Sequence, residues 1–212
     1  MYKDRVCVIV ANGLMPKKSW LLELLRKDHY IVAADGALDK LASLGLRADV
    51  LVGDLDSVKQ VSSADRLIEV KEQESNDLQK AFNYALTLNP GDIYILGANG
   101  LREDHALTNM LLLPVFARQF TWEQNISRVC MLSDFGEFYC AKDSFKMSAF
   151  KGQAISLFNL DEKGQYKSFG LKYEINGELP HLLGAALNEA SDKSFGMEGK
   201  GEMLVYKAAR MS

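Results

Sequence analysis

The sequence predicts an α/β domain with a mainly parallel sheet over residues 1–124, followed by an all-β sandwich over residues 125–212. Two observations carry that prediction. Up to about Phe120, short apolar runs alternate with segments of helical period, as βαβ units require. From Ile126 onward the helical period fades, and short β-rich runs follow one another between glycines. The composition permits both parts. A chain of 212 residues, 48% apolar and 25% charged, is that of an ordinary globular protein. At this length it buries roughly 70% of its unfolded surface, enough for a core without staples.

The elements follow in order. Val6–Ala11 is a nearly continuous apolar run, the pattern of a strand buried on both faces. Trp20, Leu21, Leu24 and Leu25 fall at helical spacing. Tyr30–Ala34 is a second strand, stopped by Asp35–Gly36, and Leu38, Leu41, Ala42 and Leu44 mark a second helix. Gly45 should end that helix in a left-handed conformation. Val50–Val52 is a third strand running into Gly53-Asp54-Leu55-Asp56-Ser57, and Leu67–Val70 a fourth. A helix over Asp77–Leu88 is stopped by Asn89-Pro90-Gly91. Ile93–Leu96 is a fifth strand, turned by Gly97-Ala98-Asn99-Gly100. A long helix then runs from near Asp104 to about Phe120, with a kink or break expected at Pro114. In the second part, strands are expected at Arg128–Leu132, Glu137–Cys140, Ala154–Asn159, Leu171–Ile175 and Met203–Lys207, and Leu182–Glu189 could pass for a helical turn. Trp20 and Trp122 read as packing anchors.

Charge and cysteine content exclude several functions. Lys and Arg number 25 against 28 Asp and Glu, and no long block of like charge occurs, so a general nucleic-acid footprint is absent. The three cysteines, Cys7, Cys130 and Cys140, form no C-x-x-C pair and no disulfide framework. No apolar stretch reaches the ~20 residues that span a bilayer, and Val6–Ala11 is too short for a signal-peptide core. The expectation is a cytoplasmic protein bound to neither membrane nor nucleic acid.

The chemistry gathers at strand ends. In an open parallel sheet, ligands bind beyond the carboxyl ends of the strands. Asp35 follows the second strand, Asp54 and Asp56 the third, and Asp104 the fifth, while Asp77 opens a helix just after Glu72-Gln73-Glu74. A single Asp there is commonly a turn former or helix cap. Several on one rim repel, and such a cluster calls for a cation; oxygen ligands alone favour magnesium. The run Gly97-Ala98-Asn99-Gly100-Leu101-Arg102-Glu103-Asp104-His105 adds a glycine turn, a guanidinium that grips phosphate, and a helix N-terminus that suits an anion. The bland alternative is a turn whose Arg102 pairs with a neighbouring carboxylate. Neither a Walker loop nor a dinucleotide fingerprint occurs. His105 either faces a ligand or caps the helix, and His29 and His181 read as surface.

Taken together, Asp35-Gly36-Ala37, Gly53-Asp54-Leu55-Asp56-Ser57, the acidic stretch closing on Asn76-Asp77, and Gly97-x-x-Gly100-x-Arg102-x-Asp104-His105 resemble the thiamin pyrophosphokinase family in order and spacing over residues 5–115. The second part resembles it more loosely, through Gly170-Leu171-Lys172-Tyr173 and Asn188-Glu189. The resemblance implies an α/β catalytic domain, a β-sandwich that binds thiamin, and a homodimer whose active site is completed by the second subunit. It implies transfer of diphosphate from magnesium-ATP to the thiamin hydroxyl, releasing AMP. On that resemblance Asp35, Asp54, Asp56, Asp77 and Arg102 are catalytic, and Asp54, Asp56 and Asp77 hold magnesium. Asp54, Ser57, Glu74, Asn76, Gly97, Gly100 and Arg102 contact ATP, and Asp104, His105 and Asn188 contact thiamin. The chain departs from the family pattern at Glu74, Asn76, Leu101 and Leu187. Another magnesium-dependent nucleotide hydrolase or small-alcohol kinase, or a non-catalytic thiamin- or nucleotide-binding module, stays open at this point.

Overall fold

The structure, a computed structural model, describes residues 5–54, 61–182 and 184–210. The chain divides into two compact units, Met1–Phe116 with Met131–Asp134, and Ala117–Cys130 with Phe135–Ser212.

In the first unit, β1 (Val6–Val10), β2 (Tyr30–Ala34), β3 (Ala48–Gly53), β4 (Ala64–Glu69) and β5 (Asp92–Leu96) lie in the order β4-β3-β2-β1-β5. All four pairings are parallel, and Ile9 sits opposite Val32 on one side and Ile95 on the other. Val8, Ile9, Val10, Val32, Val50, Leu51, Ile93 and Ile95 are sealed from solvent, as continuous apolar strands covered on both faces must be. Among the described residues four α-helices accompany the strands: α1 (Ser19–Leu24), α2 (Ala37–Ser43), α3 (Asp77–Thr87) and α4 (Glu103–Gln119). Leu78, Ala81, Phe82 and Ala85 recur at helical spacing and turn inward, so α3 packs across β1, β2 and β3. Phe82 stacks on Phe116 of α4 with ring centroids 4.0 Å apart. Gly45 takes φ +69 after α2, as its left-handed role requires.

Three local expectations are corrected here. Pro114 does not end α4, which runs on to Gln119, with Leu113 and Phe116 buried on either side of it. Trp20 is 42% exposed and anchors no core, because the buried face of α1 is carried by Leu21. The fourth strand is a sheet edge that starts earlier than its apolar residues, at Ala64, and is largely exposed.

The second unit is antiparallel β. Its strands include β6 (Trp122–Glu123) and β7 (Ile126–Ser133), which pair with each other, and β8 (Gly136–Lys142), β10 (Ala154–Asn159), β13 (Asn188–Glu189) and β15 (Glu202–Ala208), in the order β13-β10-β15-β8. A second sheet has the order β12-β11-β14-β9, built from β9 (Phe145–Ser148), β11 (Lys163–Phe169), β12 (Asn176–Pro180) and β14 (Ser194–Gly199). Ala141, Ile155, Leu157, Met203 and Val205 from the first sheet meet Phe145, Met147, Tyr166, Phe195 and Met197 from the second in one core. That is the sandwich the sequence predicts. Two of its details differ: Leu171–Ile175 forms no strand and carries only the bridge Leu171–Ala190, and the described part of 182–189 holds the short strand β13 and no helix. All three cysteines are free and buried, and burial pushes the thiols of Cys7 and Cys140 up to about 12. Among the described residues no helix is long and apolar enough to cross a membrane.

Candidate active site

The chain lays β1 to β4 outward in one direction, crosses back through α3, and adds β5 on the other flank of β1. The order therefore reverses between β1 and β5, where an open α/β sheet binds its ligands. The loops leaving these two strands interlock. Ala11, Gly13 and Leu14 donate their backbone N–H groups to Leu96, Gly97 and Asn99 at 2.8, 2.6 and 2.8 Å. The approach demands glycine: Gly97 has φ +66, and a Cβ there would lie 2.5 Å from the Ala11 carbonyl oxygen. Lys40 of α2 donates to the carbonyls of both Asn12 and Gly13 at 2.6 Å, and its partial burial lowers its pKa. The Asp134 carboxylate accepts from the N–H groups of Lys17 and Lys18 further along the same loop.

One strand over lies the acidic rim. Asp35 follows β2, its N–H bonded to the Val52 carbonyl at 3.0 Å, and it is 6% exposed. Gly53 makes room for it: a side chain there would put its Cβ 2.9 Å from the Asp35 Cβ. This gives the glycine of Gly53-Asp54 a physical reason. Asp54 is next in the chain and partly exposed. α3 runs antiparallel to the strands in a βαβ crossover, so its first residue, Asp77, returns to the same rim. Burial raises the Asp77 carboxyl above the usual range; Asp35 and Asp54 add to the rise, while Lys80 and His105 oppose it. Asp35, Asp54 and His105 therefore each act on Asp77 through space. Asp56 and Ser57 lie outside the described residues.

The other candidates take definite positions. Asn76 is the N-cap of α3. Its Oδ1 accepts from Gln79 N at 2.9 Å, and Gln79 Oε1 accepts from Asn76 N at 3.1 Å, a complete capping box. Glu74 is exposed, and its N–H is held by the Glu72 carboxylate at 2.8 Å. Gly97 is buried and Gly100 exposed, with φ +68. Leu101 is held at φ +102 and is 67% exposed. The Arg102 backbone carbonyl accepts from Ala106 N at 3.1 Å at the start of α4, and its guanidinium is paired with Asp104 through Nε at 3.1 Å and Nη2 at 2.6 Å. That hydrogen-bonded pair raises the Arg102 pKa and holds Asp104 below the usual carboxylate range.

Asn188 belongs to the second unit and is 3% exposed. Its Oδ1 accepts from Tyr173 N at 3.1 Å and its Nδ2 donates to the Tyr173 carbonyl at 2.7 Å, so its amide fixes the backbone of an exposed tyrosine. Leu187, just before it, is 89% exposed at φ +60. Sequence reasoning missed Lys40 and Lys80. The signal for Lys80 was its spacing, three residues after Asp77 on the same helical face.

The carboxylates fit a hard divalent cation in kind: Asp54 and Asp77 offer oxygen only, on one rim, with mutual repulsion to relieve. Among the described residues no group of three or more His, Cys, Asp or Glu is close enough to hold a metal alone.

A sequence profile described as "Thiamin pyrophosphokinase, catalytic domain" matches residues 21–126, and one described as "Thiamin pyrophosphokinase, substrate-binding domain" matches residues 136–206. The chain belongs to the thiamin pyrophosphokinase family. Its activity is that of a thiamine diphosphokinase, a transferase of diphosphate groups. Solved thiamin pyrophosphokinase structures share the fold at low identity. A family protein from Enterococcus faecalis is 21% identical with a TM-score of 0.79, covering 98% of this chain and 100% of that one. The Bacillus subtilis thiamine pyrophosphokinase is 18% identical at 0.80, covering 98% and 100%. The Candida albicans thiamin pyrophosphokinase is 17% identical at 0.80, covering 99% and 90%. A search of curated protein sequences gave no match.

Proposed function

We propose that the rim of Asp35, Asp54, Asp56 and Asp77, with Arg102 and the Gly97–Gly100 turn, is where the terminal diphosphate of ATP passes to the thiamin hydroxyl, releasing AMP. The observation that carries this is the placement of Asp35 and Asp54 where both act on Asp77, whose carboxyl is raised first by burial and further by these two charges. Asp54, Asp56 and Asp77 would hold magnesium. Bound there, the ion offsets negative charge on the polyphosphate. In-line attack at the β-phosphorus leaves the protein mainly positioning and electrostatic work. Asp35, the most enclosed of the described rim carboxylates, orients the acceptor hydroxyl. Gly97 and Gly100 give phosphate a backbone approach, and Ser57, Glu74 and Asn76 border the nucleotide, Asn76 through the backbone of the helix it caps. Arg102 exchanges Asp104 for phosphate, which frees Asp104, beside His105, to pair with the aminopyrimidine of thiamin. Asn188 shapes the thiamin side of the substrate-binding domain by holding Tyr173 in place.

The same reading makes residues 1–124 the ATP and magnesium domain and residues 125–212 the thiamin domain, in a cytoplasmic homodimer. Free, buried cysteines suit a reducing compartment. Leu107, Leu111 and Val115 are 59, 55 and 40% exposed along one face of α4, which supports a partner subunit there.

The test is AMP release from ATP at fixed magnesium, with and without thiamin. AMP formed only with thiamin is the expected result; ADP as product, or AMP formed without thiamin, overturns the reading. Asp54→Asn and Asp56→Asn should each abolish turnover in a folded protein, and near-full kcat in either would remove the metal assignment.

A further inference from the structure

Lys80 is 4% exposed, although lysine is almost never buried unless it is paired. Its neighbours Leu78, Ala81, Phe82 and Ala85 are the core face of α3. Side chains of a helix lean toward its N-terminus, so the Lys80 stem runs beneath the first turn and carries the ammonium to the carboxylate rim. There Nζ lies 4.0 Å from Asp77 Oδ1. A helix N-terminus repels a cation, and burying an ammonium on the apolar face of α3 costs free energy unless opposite charge compensates it. What compensates Lys80 is the acidic rim.

We propose that Lys80 is a positioning residue of the transfer reaction. It is a fixed internal cation that aims the Asp77 carboxylate and offsets the repulsion among Asp35, Asp54 and Asp77. The inference rests on the reading of this rim as the transfer site. A charge held 4.0 Å from a carboxylate also competes with any cation that comes to it. Lys80 therefore sets the rim's affinity for divalent metal below its maximum, in exchange for a fixed orientation of Asp77.

Lys80→Met keeps the stem and removes the charge; Lys80→Arg keeps the charge. Magnesium binding to the nucleotide-free protein, followed by calorimetry, should tighten about 3- to 10-fold in Lys80→Met. The kcat should fall about 10-fold or more while the KM for thiamin holds. In chelator, Lys80→Met should melt below wild type, and millimolar magnesium should close that gap. Lys80→Arg should keep the wild-type magnesium affinity and recover kcat in part, since guanidinium and ammonium differ in shape. A merely structural lysine predicts a melting difference that magnesium leaves alone, with unchanged magnesium affinity. That result overturns the proposal, as does a Lys80→Arg protein with the tightened affinity expected of Lys80→Met. If the wild-type enzyme makes no thiamin-dependent AMP, the proposed function fails, and the magnesium-binding comparison still decides the role of Lys80.

Discussion

Asp77 sits where burial and two other carboxylates oppose its charge, with Lys80 and His105 in partial relief. Its folded pKa lies above the unfolded value near 3.8, so the folded chain binds this proton more tightly than the unfolded chain. Stability is therefore lost as pH rises from about 3.8 through the folded pKa, and the deficit is complete above it. Asp77→Asn should raise the melting temperature at pH 7, lose that gain below pH 4, and abolish turnover. A melting temperature at pH 7 equal to or below wild type would show that Asp77 carries no electrostatic strain. At this scale the sequence was legible where chemistry follows an element boundary: Asp35 and Asp54 stand at the ends of apolar runs, and Asp77 opens a helix. It hinted at Lys80 only through its spacing from Asp77, because a lysine in the first turns of a helix reads as a solvated face until packing places it. It was silent on how Asn188 works, since its bonds to Tyr173 bridge 15 residues of chain.

Among the elements, α3 was the most legible, with Leu78, Ala81, Phe82 and Ala85 fixing its inner face and Asn76 and Gln79 its start. Because Asp77 is the residue after the cap, the capping box also sets where that carboxylate enters the rim. Asn76→Ala should cost about 1 kcal/mol. For a chain of this size that is a melting temperature lower by about 2–4 °C, and kcat should fall with it, because the first turn frays at the site. Unchanged melting together with unchanged kcat would refute the role of the cap. Strand β11 was illegible for the opposite reason. Its buried positions are Gly164, Tyr166 and Ser168, and two of those three carry no apolar side chain. Leu171–Ile175 misled in turn: its apolar residues serve a bridge and a loop held by Asn188, with no ladder to join.

For the whole molecule, a net charge of -3 looks ill suited to polyphosphate, yet part of that acidity lies at the strand ends where the proposed magnesium would be held. Both parts of the fold class were legible because parallel strands and sandwich strands bury their residues in different patterns. A face for the expected dimer was not legible, since an apolar stripe on a helix reads as core until the fold leaves it outside. Leu107, Leu111 and Val115 recur every fourth residue on α4, starting two residues after His105. A second copy seated on this stripe would cover apolar surface and close one side of the site together. Wild-type protein should then scatter light with twice the 23.6 kDa mass of one chain. Leu111→Glu, which places a charge in the middle of the stripe, should give the single-chain mass and lose thiamin-dependent AMP formation, while its circular dichroism stays that of a folded chain. A wild-type protein of single-chain mass at the concentration of the assay, or a Leu111→Glu variant that is still double, would show that this face is not where two copies meet.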